Sequence, residues 1–240
     1  MAQLHGRKVA KSQPKKPRPI SEELKLEMAE RTKRRELLSE SNRSALDRAL
    51  SDAALHSHGD KKEIERLIRA GADIDCLIYD NGTRYTPLMN AVRSGRLDVC
   101  RLLMEKGANP NILDTRFSNW KNPLMLAIIG SRDDVNCGVR YGCYLGICRL
   151  MMECGIDIEA RDGQGKTALM WAAEKGQTEV CKLLIERGAD AGAKDNFGRS
   201  VLDFVSAISR ASRIPRLIAL AMIFGKGHGK FSSKFDACLK

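Results

Sequence analysis

A self-similar unit recurs along this chain, and no other feature restricts its fold as tightly. Gly71-Ala72-Asp73, Gly107-Ala108-Asn109, Gly155-Ile156-Asp157 and Gly188-Ala189-Asp190 each follow an apolar stripe of helical period. Each glycine triplet precedes a second landmark: Thr86-Pro87-Leu88, Asn122-Pro123-Leu124, Thr167-Ala168-Leu169 or Ser200-Val201-Leu202. From the middle residue of a landmark to the next glycine is 20 residues at 87–107 and at 168–188. From glycine to the next landmark the distances are 16, 16, 13 and 13, so the base period is 33.

Each landmark has a local physical reason. Thr or Asn suits a helix N-cap because its side-chain oxygen accepts from free N–H groups of the first turn, and Pro at the next position lacks a donor that would have no partner anyway. Glycine after Arg101–Lys106 or Lys182–Arg187 suits the left-handed residue that ends a helix, where a Cβ is penalised. Between start and stop, Ala172, Ala173, Gly176, Val180, Leu183 and Leu184 read as two short helices with apolar positions three or four apart and a small-residue turn between them. The unit is a helix pair followed by a turn-rich loop, and Leu183 is expected in the core.

Residues 162–194, from Asp162-Gly-Gln-Gly-Lys-Thr-Ala-Leu through Trp171-Ala-Ala to Gly188-Ala-Asp, closely resemble the 33-residue ankyrin repeat. The resemblance extends over 44–225 as five units: 44–79, 80–113, 114–161, 162–194 and 195–225, the outer two serving as caps. It implies an all-α solenoid of stacked helix pairs with β-hairpin-like loops, each repeat touching only its neighbours, and binding in place of catalysis. Three departures individualise the chain. The loops before Pro87 and Pro123 are three residues longer than the others, giving two fingers of greater reach. Pro123 to Gly155 spans 32 residues, which places a 12-residue insertion between the helices of the third unit, at about 132–143. The family's usual histidine after the Thr-Pro-Leu triplet is replaced by Met89, Met125, Met170 and Asp203, so methionine fills that space.

The formal charge of +11 belongs to the ends. Residues 1–43 carry 12 Lys/Arg against 6 Asp/Glu, 44–205 carry 22 against 23, and 206–240 carry 7 against 1. The expected organisation is therefore a basic disordered tail (1–20), a charged helix or linker (21–43), the repeat domain, and a basic tail (226–240). Ser21 is the expected N-cap of the charged helix, with Glu27/Arg31 and Glu30/Arg34 as supporting pairs. That helix is either free or lies across the first repeat through Leu24, Met28 and Leu38. No run approaches 18 apolar residues, which excludes a membrane span, and the start lacks the apolar core of a secretory signal. The expectation is an intracellular protein, cytoplasmic or also nuclear, without disulfides.

Residue types that suggest chemistry find plainer explanations. Cys100, Cys148 and Cys181 share one repeat position, seven residues before the terminating glycine, and read as buried small apolar groups. Cys137 and Cys143 lie in the insertion without zinc-ligand spacing. The 225–232 stretch has three residues between its glycines and Phe231 after Lys230, which fails the phosphate-loop pattern. The expectation is no enzyme, no metal and no cofactor.

The positions left free of caps and core are the finger tips and the inner face of each first helix. On the resemblance these are Arg84, Tyr85, Arg116, Phe117, Trp120, Lys121, Gln164, Lys166, Phe197 and Arg199 at the tips, and Asn90, Arg93, Trp171, Glu174, Lys175 and Phe204 on the inner helices. Aromatics and arginine are the types enriched at interface hot spots. The leading reading is a concave groove that binds a protein or peptide, with the basic residues selecting an acidic partner. Against it, Trp120 or Phe117 folds back to plug its loop, or Trp171 packs on a neighbouring helix. The alternative is a nucleic-acid-associated or nuclear factor that grips phosphates with its basic ends, although no reader module is present. A stack that merely scaffolds its own insertion ranks below both. A monomer is expected, with the apolar 217–224 run either shielding the stack or offering a docking face.

Overall fold

The structure, a computed structural model, describes residues 21–56, 60–80, 83–113, 121–133 and 141–206. The basic ends, the 217–224 run, Cys137, and the tip residues Arg116, Phe117 and Trp120 lie outside the described residues, as do the side chains of 131–133 and 141–143.

A lone helix α1 (Glu22–Glu36) precedes five helical units: α2 (Glu40–Leu55) with α3 (Lys61–Ala70), α4 (Pro87–Arg93) with α5 (Leu97–Glu105), α6 (Pro123–Asp133) with α7 (Tyr141–Glu153), α8 (Ala168–Glu174) with α9 (Thr178–Glu186), and α10 (Val201–Ser206). Helices α2, α4, α6, α8 and α10 pack in one row, and α5, α7 and α9 form the adjoining row. This is the stack of helix pairs that the 33-residue period predicts. The first pair begins at Glu40, upstream of the boundary drawn at 44, because the Ser39 side chain accepts from Asn42 N–H and caps α2.

The landmark triplets start their helices as expected. Thr86 Oγ1 accepts from Met89 N–H at 3.2 Å, Asn122 Oδ1 from Met125 at 2.9 Å and Thr167 Oγ1 from Met170 at 3.5 Å. In the last unit the cap works in reverse: Asp203 Oδ2 accepts from Ser200 N–H (2.6 Å) and Oγ–H (2.8 Å). Gly71 and Gly107 end α3 and the turn after α5 at φ +104° and +89°, where an L side chain is strained. Met89, Met125 and Met170 are fully buried, so methionine does fill the histidine position.

The first long finger is a hairpin of β1 (Ile78–Asp80) and β2 (Thr83–Tyr85), with Ile78 opposite Tyr85 and Tyr79 opposite Arg84. The insertion is shared out. Helix α6 is four residues longer than α8, α7 is four longer than α9, and the connection between them takes up the remainder. Helical extension satisfies the added backbone internally, which a 12-residue loop would not.

One core runs the length of the stack, from Leu50 and Ile64 through Leu88, Leu103, Leu124, Ile147 and Met151 to Leu169, Leu184 and Val201. Leu184 is fully buried whereas Leu183 is only half-buried; α9 turns the former inward, which corrects the expectation for Leu183. Cys100, Cys148 and Cys181 are buried free thiols, and desolvation pushes the Cys148 and Cys181 pKa up to about 12. Thiolate chemistry is suppressed there.

A ladder of hydrogen bonds that the sequence reading missed ties the stack together, its first rung inside the first unit and the other three between successive units. The backbone N–H of Asp73 donates to Asp47 Oδ1 (2.8 Å), that of Asn109 to Asp75 Oδ1 (3.0 Å), that of Asp157 to Asn111 Oδ1 (2.9 Å), and that of Asp190 to Glu159 Oε1 (2.7 Å). Asp75, Asn111 and Glu159 each stand four residues after a terminating glycine. The fourth such position is Gly192, which has no side-chain acceptor to offer.

Helix α1 is docked. Three arginines near the C-terminal end of α1 reach carbonyls at the ends of the repeat helices: Arg31 donates to Lys106 O (2.9 Å), Arg34 to Arg69 O (2.9 Å) and Arg35 to Gly71 O (3.2 Å). Arg35 also forms a bidentate pair with Asp47 (2.7 and 2.6 Å). A Cβ at Gly107 would stand 3.3 Å from Met28 Sδ and 3.9 Å from Leu24, and one at Gly71 3.5 Å from Leu38. The helix therefore crosses the first two units, not the first alone. The expected Glu27/Arg31 pair gives way to Glu27 with Lys106 at 2.9 Å, which holds the Glu27 carboxyl below its usual pKa. Arg34 and Glu30 stand 3.7 Å apart as their spacing predicts.

Candidate functional site

Where the fingers meet the first-helix row, the repeat places like residues one above another. Lys121, Lys166 and Arg199 hold one register position, two before the helix-starting landmark residue, and Trp171 and Phe204 hold another, 33 residues apart. Stacking interleaves them. Lys121 Nζ stands 5.1 Å from the Trp171 ring centre, Lys166 Nζ lies 4.4 Å from Trp171 and 4.8 Å from Phe204, and Arg199 lies 4.8 Å from Phe204 and 4.9 Å from Phe197. Cation and ring alternate over three units, each contact favourable because the ring face is negative.

Two aspartates build the finger turns beneath this ladder. Asp162 accepts from the N–H groups of Gln164 and Lys166 through Oδ1 and from Trp171 Nε1 through Oδ2 (2.9 Å). Asp195 repeats the turn with Phe197 and Arg199 and pairs its Oδ2 with the Arg199 guanidinium at 2.7–2.8 Å. Burial works against the Asp195 charge, but Arg199 and the backbone donors outweigh it and hold its pKa below the usual value.

Several expected contact residues are therefore committed within the fold. Lys166 is 5% exposed and paired with Glu174 at 2.8 Å, Phe204 is buried, and Trp171 is half-buried with its N–H occupied. Trp171 packs on its neighbours, as the competing sequence reading has it. Asn90 stands at the Trp171 position of the second unit, buried, with its Nδ2 donating to Ser51 Oγ at 2.8 Å. These four serve cohesion, because the first-helix row is closed where its own side chains fill it.

Other members remain open. Arg84 and Arg93 are exposed, with Arg93 lying 4.3 Å over the half-buried Tyr85 ring. Gln164 and Arg199 are exposed, Lys121, Glu174 and Lys175 are half-buried, and Phe197 is 69% exposed at the last described finger tip. The two ends of the row thus carry the same device, an arginine laid on an aromatic ring: Arg93 on Tyr85 and Arg199 on Phe197. Among the described residues, no three His, Cys, Asp or Glu side chains come together as a metal site, and no helix is long and apolar enough to cross a membrane.

With this geometry in hand, comparison with known families is decisive. A profile of ankyrin repeats in three copies matches at residues 50–137, 114–195 and 137–219. The chain belongs to the ankyrin repeat family. It is similar to an ankyrin repeat-containing protein of Treponema pallidum (strain Nichols), 33% identical over 114 residues, or 48% of this chain and 33% of that protein. It is also 50% identical over 44 residues to dauer abnormal formation protein 25 of Caenorhabditis elegans, covering 18% of this chain and 11% of that protein. A third similarity, 35% over 69 residues, is to the 2-5A-dependent ribonuclease of Mus musculus, covering 29% of this chain and 9% of that protein. The matches thus span a third or less of these relatives' lengths. Ankyrin repeats are generally protein–protein interaction modules.

Proposed function

We propose that this ankyrin stack is a non-enzymatic binding module that takes an acidic protein or peptide segment along its finger and first-helix face. The observation that carries the reading is the pair of exposed arginine-on-ring devices, Arg93 on Tyr85 and Arg199, itself paired with Asp195, on the exposed Phe197, with Arg93 as the carboxylate donor. Exposed aromatic area costs hydration when left free, and arginine is both a hot-spot residue and a bidentate carboxylate donor. Between these ends the closed ladder around Lys166 and Trp171 sets the spacing and supplies a rigid floor. Rim charges of this kind steer association and make it salt-dependent.

The test isolates a partner by affinity capture and then titrates it directly against Arg93→Ala, Phe197→Ala and a chain lacking 1–20 and 226–240. The expected result is about tenfold weaker binding for each point variant, equal to ~1.4 kcal/mol, with binding retained by the trimmed chain. Unchanged binding in both point variants, with loss on trimming, would overturn the proposal in favour of phosphate recognition by the basic ends.

A further inference from the structure

Away from the fingers, α1 and the C-terminal ends of α3 and α5 enclose an open cleft of about 320 Å³, lined by Glu27, Glu30, Arg31, Arg34, Arg69 and Lys106. Four cations face two carboxylates. Its deepest charge is Arg31, only 9% exposed. Among the described residues Arg31 makes one hydrogen bond, to Lys106 O, although a guanidinium carries five N–H donors. Glu27 is spent on Lys106 and Glu30 reaches only Arg34, so among the described residues Arg31 has no carboxylate in ion-pair contact, although Glu27 and Asp75 stand near enough to act on its charge. Burying a guanidinium with no anion in contact is costly, and an anion from solution would offset that cost.

The surroundings fit one. Helix C-termini ordinarily repel anions, but the carbonyls of Lys106, Arg69 and Gly71 already accept from Arg31, Arg34 and Arg35. Arg69 and Arg34 keep unused donors beside the cleft, since Arg69 pairs with Glu65 through one nitrogen. Planar guanidinium groups match tetrahedral oxyanions bidentately. The volume is at the small end of the roughly 300–1,000 Å³ of small-molecule sites, more than a single phosphate group fills.

We propose that this cleft is a binding site for a free oligophosphate, held between Arg31 and Arg34 of α1 and Arg69 and Lys106 of the repeats. Bound there, the anion bridges α1 to the first two units, so occupancy and the docking of α1 reinforce each other.

The full chain is titrated with inorganic phosphate and with sodium tripolyphosphate against sodium chloride at equal ionic strength. The readout is the side-chain Nε–H signals of the arginines by NMR, because the basic ends also attract polyanions and a bulk signal would mix the two. Tripolyphosphate is expected to move the Arg31 and Arg69 signals saturably, at least tenfold more tightly than phosphate, while chloride does not. Arg69→Ala, an exposed change that leaves α1 docked, should weaken this at least fivefold, and Arg31→Gln should abolish it. Non-saturable shifts, equal shifts with chloride, or affinity unchanged in Arg69→Ala would overturn the site. None of these outcomes bears on the finger face, which shares no residue with the cleft.

Discussion

Asp47 is the point at which the extra helix and the repeat ladder meet, and its replacement exposes how α1 is held. The Asp47 carboxylate, 10% exposed, accepts both ends of the Arg35 guanidinium and also the Asp73 N–H that forms the first rung. Asp47→Ala strands a partly buried cation and a part-buried donor together. Breaking one side of a buried pair costs about 3–5 kcal/mol, but Arg35 is 28% exposed and recovers some hydration, so the pair contributes about 2 kcal/mol. The unsatisfied Asp73 N–H adds about 1 kcal/mol, giving a total of about 3 kcal/mol. Asp47→Asn keeps the rung and loses the charge, and should cost about 2 kcal/mol. Urea unfolding followed by circular dichroism, on both single variants, Arg35→Ala and the Asp47→Ala/Arg35→Ala pair, measures this directly. The double variant should be about 1.5–2 kcal/mol more stable than the sum of the singles implies, since neither charge is then left alone. Additivity within about 0.3 kcal/mol would refute the reasoning and leave α1 held by its apolar contacts and by the Arg31, Arg34 and Glu27 bonds, without a contribution from the Arg35–Asp47 pair.

Leu184→Ala should cost about 2–5 kcal/mol through the cavity it opens, whereas half-buried Leu183→Ala should cost about half as much; thermal unfolding that ranks them the other way would shift the register of α9. Trp171→Ala should lower stability by about 2–3 kcal/mol, below a fully buried tryptophan because its ring is half covered, and Trp171→Phe should recover much of it. An unaltered melting temperature would return Trp171 to the role of a free anchor. Asp195 and Glu27 have lowered folded pKa values, so their stabilisation is present above the ordinary carboxylate pKa of about 4 and is lost as pH falls through the lower folded values; melting between about pH 5 and 2.5 should drop, and less so in Asp195→Asn. Asp75 has the opposite sign, its pKa raised by desolvation, so Asp75→Asn, which copies the Asn111 rung, should be neutral or slightly stabilising at pH 7. A loss above about 1 kcal/mol would show that the ladder needs charge and not merely an acceptor.

Local chemistry determined most of the repeat from sequence alone. Thr86, Asn122 and Thr167 cap the helices that follow them, and Gly71 and Gly107 close the preceding ones, because capping and left-handed backbone depend on residues within a turn of one another. The cysteines at 100, 148 and 181 were legible for the same reason: a shared position in the period means a shared burial. Which side chains remain free to bind could not be read this way. Lys166, Asn90 and Phe204 look like surface residues in one unit and become buried only against a neighbouring unit, Asn90 against Ser51 and Phe204 against Lys166, with Lys166 clasped between the rings of two repeats. The rungs from Asp75, Asn111 and Glu159, and the seat of α1 over Gly71 and Gly107, likewise join residues distant in sequence, and their energies come from desolvation and paired donors that exist only once the units have stacked.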